Sequence, residues 1–180
     1  RSGVDLDRFE HATPIDFHER LGLDPDRFVV AKIANFRPQK DHPTLFRAIA
    51  ELPQVLRARL LVVLVGSTTA DPGYYASCMA LAEELGIGDS IAVFGESDDA
   101  PGVLAGADAA ILSSNNETGP LVVLEYMASG LPFIATDTGE IAHAVRDLGV
   151  GIVPPPGDHQ AVADALATLL TMTATERQTM

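Results

Sequence analysis

Short apolar runs alternate with segments of helical periodicity along most of this 180-residue chain, and that alternation limits the possible folds more than any other feature. Residues 60–65 (LLVVLV) form a continuous run rich in branched side chains, which is typical of strands buried on both faces. The run at residues 28–34 is followed by Leu45, Ile49 and Leu52 at helical spacing. Strands alternating with helices predict right-handed crossovers and a parallel sheet covered by helices on both faces.

The predicted fold is therefore a Rossmann-like, three-layer α/β/α domain with about six strands in its sheet. The strand runs are residues 28–34, 60–65, 90–94, 109–112, 132–135 and 151–153. Helices are expected at residues 15–21, 42–52, 74–85, 100–105, 121–129, 139–148 and 160–170. Residues 1–26 are polar without a sustained period, so we interpret them as a linker with a short helix, and residues 27–180 as one domain.

The charge balance excludes several classes of partner. With 12 Lys and Arg against 25 Asp and Glu, the net charge is −13, which disfavours binding to nucleic acid or to an anionic membrane.

The apolar runs fall well short of the roughly 20 residues that a transmembrane helix needs. A single cysteine, Cys78, excludes an internal disulfide and is typical of a reducing compartment, so we expect a cytoplasmic protein.

The cations are concentrated in the first third of the chain, where ten of the 12 lie at or before Arg59. Arg37 and Lys40 are in the loop that leaves the first predicted strand, at the sheet edge where ligands of open α/β sheets bind. They are natural counter-charges for a diphosphate, although an ordinary solvated loop remains the alternative. Lys32 falls inside the first strand run, and we expect its ammonium to reach solvent at a sheet edge.

A second candidate site surrounds two carboxylates eight residues apart. Glu117 lies in a predicted loop, and Glu125 lies in the helix that follows Pro120. The free N–H groups of Leu121 and Val122 at the start of that helix favour an anion. Glu125 is on the same side of the helix as Leu121, and its carboxylate can accept hydrogen bonds from a vicinal diol such as a ribose. Spacing alone leaves open that both glutamates are ordinary surface acids.

Several other chemistries lack their motifs. The sequence has no G-x-x-x-x-G-K-[ST] phosphate loop, no G-x-G-x-x-G after the first strand and no G-x-S-x-G nucleophile elbow. The five histidines show no metal-ligand spacing, so no metal site is predicted. Asp5-Leu6-Asp7 follows no apolar strand and is interpreted as solvated linker rather than as the metal motif of metal-dependent sugar transferases.

Eight stretches occur together in an order found in one known family. They are Gly3-Val4-Asp5-Leu6-Asp7-Arg8-Phe9, Asn35-Phe36-Arg37-Pro38-Gln39-Lys40, Val65-Gly66, Val93-Phe94-Gly95, Ser114-x-x-Glu117, Glu125-Tyr126-Met127-Ala128-Ser129-Gly130-Leu131-Pro132, Ala135-Thr136-Asp137-x-Gly139 and Gly151-Ile152-Val153-Pro154. Together they resemble the C-terminal domain of family 4 (group 1) retaining glycosyltransferases of the GT-B fold. The most specific part of this resemblance is the pair of glutamates eight residues apart, the second of which opens the motif Glu-x-Met-Ala-x-Gly-Leu-Pro.

The resemblance implies a role for each matching residue. Arg37 and Lys40 neutralise the diphosphate of a nucleotide-diphospho-sugar donor such as a UDP- or GDP-sugar, and Glu117 contacts the transferred sugar; these three are the candidate catalytic residues. Glu125 holds the ribose hydroxyls. The remaining donor-binding residues are Gly66, Phe94, Gly95, Ser97, Ser114, Gly119, Leu121 and Val122. The family needs neither a metal ion nor a cofactor.

The sequence departs from the family pattern at three positions. Asn35 stands where the family usually has Arg, so Arg37 is the substitute cation, and Thr118 replaces the usual Gly after the first Glu. His143 stands where a Glu is frequent, and we interpret it as a helix-face residue rather than a catalytic one.

The resemblance also implies that the chain is the donor-binding half of a longer enzyme. In the family the Gly3–Phe9 stretch lies at the junction of two domains, so the N-terminal acceptor-binding domain is expected to precede it, and the fragment alone is expected to be inactive. Family members often act at the cytoplasmic membrane face, which allows peripheral association of the full-length protein. Two alternatives remain: half of a GT-B nucleotide-sugar epimerase, and a non-catalytic nucleotide-binding module.

Overall fold

A five-stranded parallel sheet forms the centre of the computed structural model, which describes residues 4–116, 121–148, 151–172, 175–176 and 179. The strands are β1 (Phe28–Ile33), β2 (Leu60–Val65), β3 (Ile91–Gly95), β4 (Ala109–Leu112) and β5 (Phe133–Ala135). Their order across the sheet is β3-β2-β1-β4-β5, and all neighbours are parallel. The predicted sixth strand contributes a single parallel bridge between Ile152 and Ile134.

Helices cover both faces of the sheet, so the predicted three-layer Rossmann-like architecture is confirmed. They are α1 (Leu6–Glu10), α2 (Phe17–Leu21), α3 (His42–Glu51), α4 (Gln54–Arg57), α5 (Pro72–Leu85), α6 (Ala100–Ala105), α7 (Leu121–Ser129), α8 (Gly139–Leu148) and α9 (His159–Thr171), with 3₁₀ turns at Pro38–Lys40 and Gly88–Ser90. No helix among the described residues is long and apolar enough to cross a membrane.

The two faces of the sheet bury separate apolar layers. Along β1, Val30 belongs to the layer that packs with α3, α5 and α9, whereas Val29 belongs to the opposite layer with α2, α6 and α7. All six residues of β2 are buried. A strand covered on both faces has no exposed side to fill with polar residues, which explains its uninterrupted apolar sequence.

Aspartates set the starts of most of these helices. The N-cap aspartates whose carboxylates accept a backbone N–H of the first turn are Asp5, Asp16, Asp41, Asp71, Asp99 and Asp158. Each cap satisfies a donor that the helix itself leaves unpaired, and is worth about 1 kcal/mol. Several of the acids behind the net charge of −13 therefore have a local structural role.

Residues 4–26 pack against the sheet domain. Phe17 is fully buried and meets Phe94 edge-on, with ring centroids 5.4 Å apart. The Ile15 N–H donates to the Gly102 carbonyl (3.0 Å). These contacts fix the segment against α6 and β3, while its assignment as the connection between two domains stays a prediction.

Candidate functional site

The strand order reverses direction between β1 and β4, and this switch point opens a crevice at the carboxyl ends of the two strands. The loop after β1 crosses to the loop after β4 and is hydrogen-bonded to it. The Asn115 N–H donates to the Gln39 carbonyl (3.0 Å), and the Asn115 side-chain amide donates to the Pro38 carbonyl (3.3 Å). The two segments that the sequence singled out, around Lys40 and after β4, therefore meet at one sheet edge.

A cavity of about 710 Å³ lies along the carboxyl ends of β1, β2 and β3. Its lining residues are Ile33, Ala34, Asn35, Lys40, Val65, Gly66, Glu96, Ser97 and Asp98. Lys40, a partly buried residue, contributes a cationic side chain to this lining, and the exposed residues Glu96 and Asp98 contribute carboxylates from the loop after β3. The cavity thus offers a cation for a phosphate group and acceptors for hydroxyl or N–H groups.

Glu125 lines a smaller cavity of about 270 Å³ together with Arg8, Asp98 and Leu121. Burial raises the pKa of the Glu125 carboxyl, and the positive charge of Arg8 opposes this rise. Because Asp98 borders both cavities, the Lys40 and Glu125 sites adjoin each other.

The predicted site residues separate into several positions. Lys40, Gly66 and Ser97 line the large cavity, and Glu125 and Leu121 line the smaller one. Phe94 lines a third cavity of about 900 Å³, which it shares with Ser97. Glu117 and Gly119 lie outside the described residues.

Besides Phe94, four further predicted residues do not line the two adjoining cavities. Arg37 is exposed at the N-terminal end of the 3₁₀ turn. Gly95 accepts the Gly66 N–H at its carbonyl (2.8 Å), and Ser114 is fully buried with its carbonyl accepting the Thr136 hydroxyl (2.6 Å). Val122 is partly buried against the apolar layer of α7. All roles assigned to these residues remain predictions.

The expectation for Lys32 is wrong. β1 is the central strand, and Lys32 is fully buried rather than solvated at an edge. Its ammonium donates to the Lys40 carbonyl (3.0 Å) and to the Ser113 hydroxyl (2.9 Å). A lysine inside an apolar run has the same local pattern in an edge strand as in a central one, so the sequence carried no local signal for this burial.

Asn35 has a structural role at the position where the family that the sequence resembles usually has Arg. Its side-chain oxygen accepts the Ser67 N–H (2.9 Å), and the neighbouring Phe36 N–H donates to the Ser67 carbonyl (2.9 Å). These bonds join the loops after β1 and β2 and so shape the wall of the large cavity.

Beneath the loop after β1, His42 is a buried neutral imidazole. Its ring stacks on Phe36, with centroids 4.1 Å apart, and its Nδ1 lies 3.2 Å from the Tyr74 hydroxyl. Burial, aided by the charges of Lys32 and Lys40, lowers the pKa of His42 to about 2. His42 therefore contributes no cation to the site near neutral pH.

His143 lies on the exposed side of α8, as expected for a helix-face residue. Its Nε2 is 3.0 Å from a carboxylate oxygen of Asp137, which Arg146 also contacts. Among the residues that the structure describes, no group of three or more His, Cys, Asp or Glu side chains could hold a metal ion.

The chain matches known proteins over nearly its whole length. Residues 15–180 match the family described as glycosyl transferases group 1. The D-inositol 3-phosphate glycosyltransferase of Saccharomonospora viridis is 35% identical over 171 residues, which are 92% of this chain and 40% of that protein.

Solved structures of other proteins share the fold. The Anabaena protein Alr3699/HepE in complex with UDP and glucose superposes with a TM-score of 0.82 at 24% identity, over 98% of this chain and 47% of the other. The C-terminal domain of a group 1 glycosyl transferase from Francisella tularensis gives a TM-score of 0.79 at 22% identity, covering 98% and 91%. Together with the match over residues 15–180, the geometry leads to one conclusion: the chain belongs to the group 1 glycosyl transferases.

Proposed function

We propose that this chain is the donor-binding part of a retaining glycosyltransferase that transfers a sugar from a nucleotide-diphospho-sugar to an acceptor. Family membership supports the reaction class. The S. viridis relative is more than twice as long as the stretch it shares with this chain, so acceptor binding is assigned to the rest of the full-length protein.

The large cavity is the proposed site of the diphosphate and the base of the donor. Lys40 provides the positive charge, and Arg37, exposed on the same loop, provides a second cation that can turn toward a bound ligand. Gly66, Phe94, Gly95 and Ser97 border the base. The Anabaena neighbour was determined with UDP and glucose, which makes UDP the first nucleotide to test.

The smaller cavity is the proposed site of the ribose. Burial raises the pKa of Glu125, but a vicinal diol that donates two hydrogen bonds favours the ionised carboxylate. Leu121 lines the same cavity, so the N–H groups of Leu121 and Val122 at the start of α7 would face a neighbouring phosphate. Ser114 and Gly119 complete the proposed donor site.

The proposed chemistry relies on charge stabilisation. As the bond between the anomeric carbon and the phosphate oxygen breaks, negative charge develops on the leaving nucleoside diphosphate. Lys40, Arg37 and the N-terminal end of α7 stabilise that charge, and Glu117 orients the sugar through its hydroxyls. This proposal requires no metal ion and no cofactor.

The observation that carries the proposal is that the Lys40 and Glu125 cavities adjoin at Asp98. Titration calorimetry of the chain with UDP, GDP and ADP, each also as its 2′-deoxy form, tests it. We expect at least one ribonucleotide to bind, and to bind more tightly than its 2′-deoxy counterpart. Glu125→Gln should remove that preference, whereas Glu83→Gln, an exposed site on α5, should retain it.

One result would overturn the donor-site proposal, and a second would overturn the role of Glu125. If none of the three ribonucleotides binds, the chain is not a donor site. If Glu125→Gln keeps the full ribose preference, Glu125 does not hold the ribose. Extending the titration to intact UDP- and GDP-sugars then identifies the donor class.

A further inference from the structure

Lys32 is a fully buried cation at the switch point of the sheet. It lies in β1, where it pairs with Leu64 of β2, and β1 pairs on its other side with β4. Burying an ammonium costs several kcal/mol unless hydrogen bonds replace its lost water. Such a residue in a central strand, directly below a candidate anion site, requires an explanation that apolar packing does not give.

The contacts of the Lys32 ammonium connect the two loops of the crevice. It donates to the Lys40 carbonyl (3.0 Å), which belongs to the loop after β1, and to the Ser113 hydroxyl (2.9 Å), which begins the loop after β4. The Ser113 hydroxyl in turn lies 3.3 Å from the Lys40 carbonyl and 3.1 Å from the Asp41 carbonyl. Lys32 and Ser113 thus hold the backbone of Lys40 and Asp41 from below.

The backbone held in this way has an uncommon conformation. Asp41 is the one non-glycine residue with positive φ among those the structure describes, at +47°. It ends the 3₁₀ turn and caps α3, accepting the Thr44 N–H (3.2 Å) and hydroxyl (2.6 Å). A left-handed conformation costs free energy at a residue with a side chain, although aspartate tolerates it better than most, so the surrounding contacts help to retain it. The same contacts hold the backbone of Lys40, which lines the large cavity.

We propose that Lys32 is a positioning residue of the donor site: through Ser113 and the Lys40 carbonyl it fixes the turn that directs Lys40 toward the diphosphate. The identity of the ligand in this inference rests on the proposed function, whereas the claim that Lys32 fixes the turn does not. Lys32 itself touches no substrate.

Hydrogen exchange in the ligand-free chain tests the fixing of the turn. The Asp41 N–H donates to the Pro38 carbonyl (3.1 Å), and the Asn115 N–H donates to the Gln39 carbonyl (3.0 Å). In Lys32→Met we expect both amides to exchange at least about tenfold faster, while amides of β2 keep their rates. Ser90→Ala is the matched control. It removes a buried hydroxyl that donates to the Arg57 carbonyl (3.3 Å) at the opposite edge of the sheet, and it should leave the exchange of both amides unchanged.

Calorimetry tests the connection to the ligand. With the tightest-binding of UDP, GDP and ADP and its nucleoside, Lys32→Met should lower the ratio of diphosphate to nucleoside affinity about tenfold while the nucleoside affinity stays constant. If Lys32 only stabilised the fold, Lys32→Met would weaken the binding of the diphosphate and of the nucleoside equally. If Lys32→Met does not fold, Ser113→Ala carries the same two measurements, with smaller changes in the same direction.

The outcomes separate the two proposals. Unchanged exchange at Asp41 and Asn115 in a folded variant overturns the positioning role. Faster exchange with an unchanged affinity ratio overturns the connection to the diphosphate. If the wild-type chain binds no nucleotide, the proposed function fails, and the exchange measurement still decides whether Lys32 fixes the turn.

Discussion

At the scale of single residues, Lys40 has the clearest expected effect on binding. Lys40 lines the large cavity, whereas its backbone carbonyl is held by Lys32, so truncating the side chain should leave the turn in place. Lys40→Ala should weaken nucleoside diphosphate binding by about 1–3 kcal/mol, because a charge-assisted contact to phosphate is lost. Nucleoside binding should hardly change, since the lost partner is the diphosphate. Titration calorimetry with both ligands measures the difference.

Arg47→Ala is the matched control for Lys40→Ala. Arg47 is an exposed cation on α3 and lines neither of the two adjoining cavities, so its removal changes the net charge equally without touching the site. Equal losses of affinity in the two variants would mean that Lys40 acts through the overall field of the protein rather than by contact.

The residues of the site differ in how far sequence predicts them. Lys40 and Glu125 could be predicted as site residues, because Lys40 follows a recognisable strand and Glu125 lies in a recognisable helix at the ligand edge of the sheet. Lys32 could not, because its burial depends on β1 being central and on partners that lie eight and 81 residues away. Strand order is a long-range property, and a lysine in an apolar run has the same local pattern at an edge as at the centre.

At the scale of elements, the apolar runs predict the strands well. The ranges of β2 and β4 agree residue for residue with the prediction, because these strands are buried on both faces and their ends coincide with the ends of the apolar runs. Helices α1 and α4 were not predicted. They contain five and four residues and bury no side chain, so they show no apolar periodicity for a sequence pattern to detect.

Gly66 is an element end with little tolerance for a side chain. It follows β2 with φ +151°, and a Cβ there would lie 2.1 Å from the Ala34 carbonyl oxygen. Gly66→Ala should lower the free energy of unfolding by about 2–4 kcal/mol, because backbone must move to relieve the clash in a strained conformation. It should also weaken nucleotide binding, since Gly66 lines the large cavity. Chemical denaturation measures the stability.

Gly88→Ala provides the comparison for Gly66→Ala. A Cβ at Gly88 meets no atom within 4 Å, so the change in unfolding free energy should stay within about 0.5 kcal/mol. If Gly66→Ala were as stable as Gly88→Ala, the loops after β1 and β2 would be free to separate, and the wall of the cavity would not be rigid.

At the scale of the whole molecule, the chain contains a three-layer sheet domain and its match spans about 40% of the length of the S. viridis relative. The elements that build the proposed donor site converge within this domain. The sequence predicts this convergence because parallel strands bring their carboxyl ends to one edge. We expect donor nucleotide binding by the chain alone, with little or no sugar transfer.

The stability of the whole domain should depend on pH through His42. The unfolded state protonates this histidine near its ordinary pKa of about 6.5, whereas burial lowers its pKa in the folded state to about 2. Below pH 6.5 the unfolded state therefore binds more protons, and the free energy of unfolding falls by up to about 1.4 kcal/mol per pH unit as the pH decreases. Denaturation between about pH 5 and 6.5 avoids most carboxylate titration and the isoelectric region near 4.5.

His42→Gln isolates this contribution. The variant should be less stable at pH 7, because the stacking on Phe36 is lost, yet its stability should fall less steeply with decreasing pH than that of the wild type. His11→Gln, at an exposed position beside α1, should leave the stability unchanged at pH 7. If the stability of the wild type and of His42→Gln fell equally with decreasing pH, the imidazole would already be protonated in the folded state. The assignment of His42 as a neutral, buried imidazole would then be wrong.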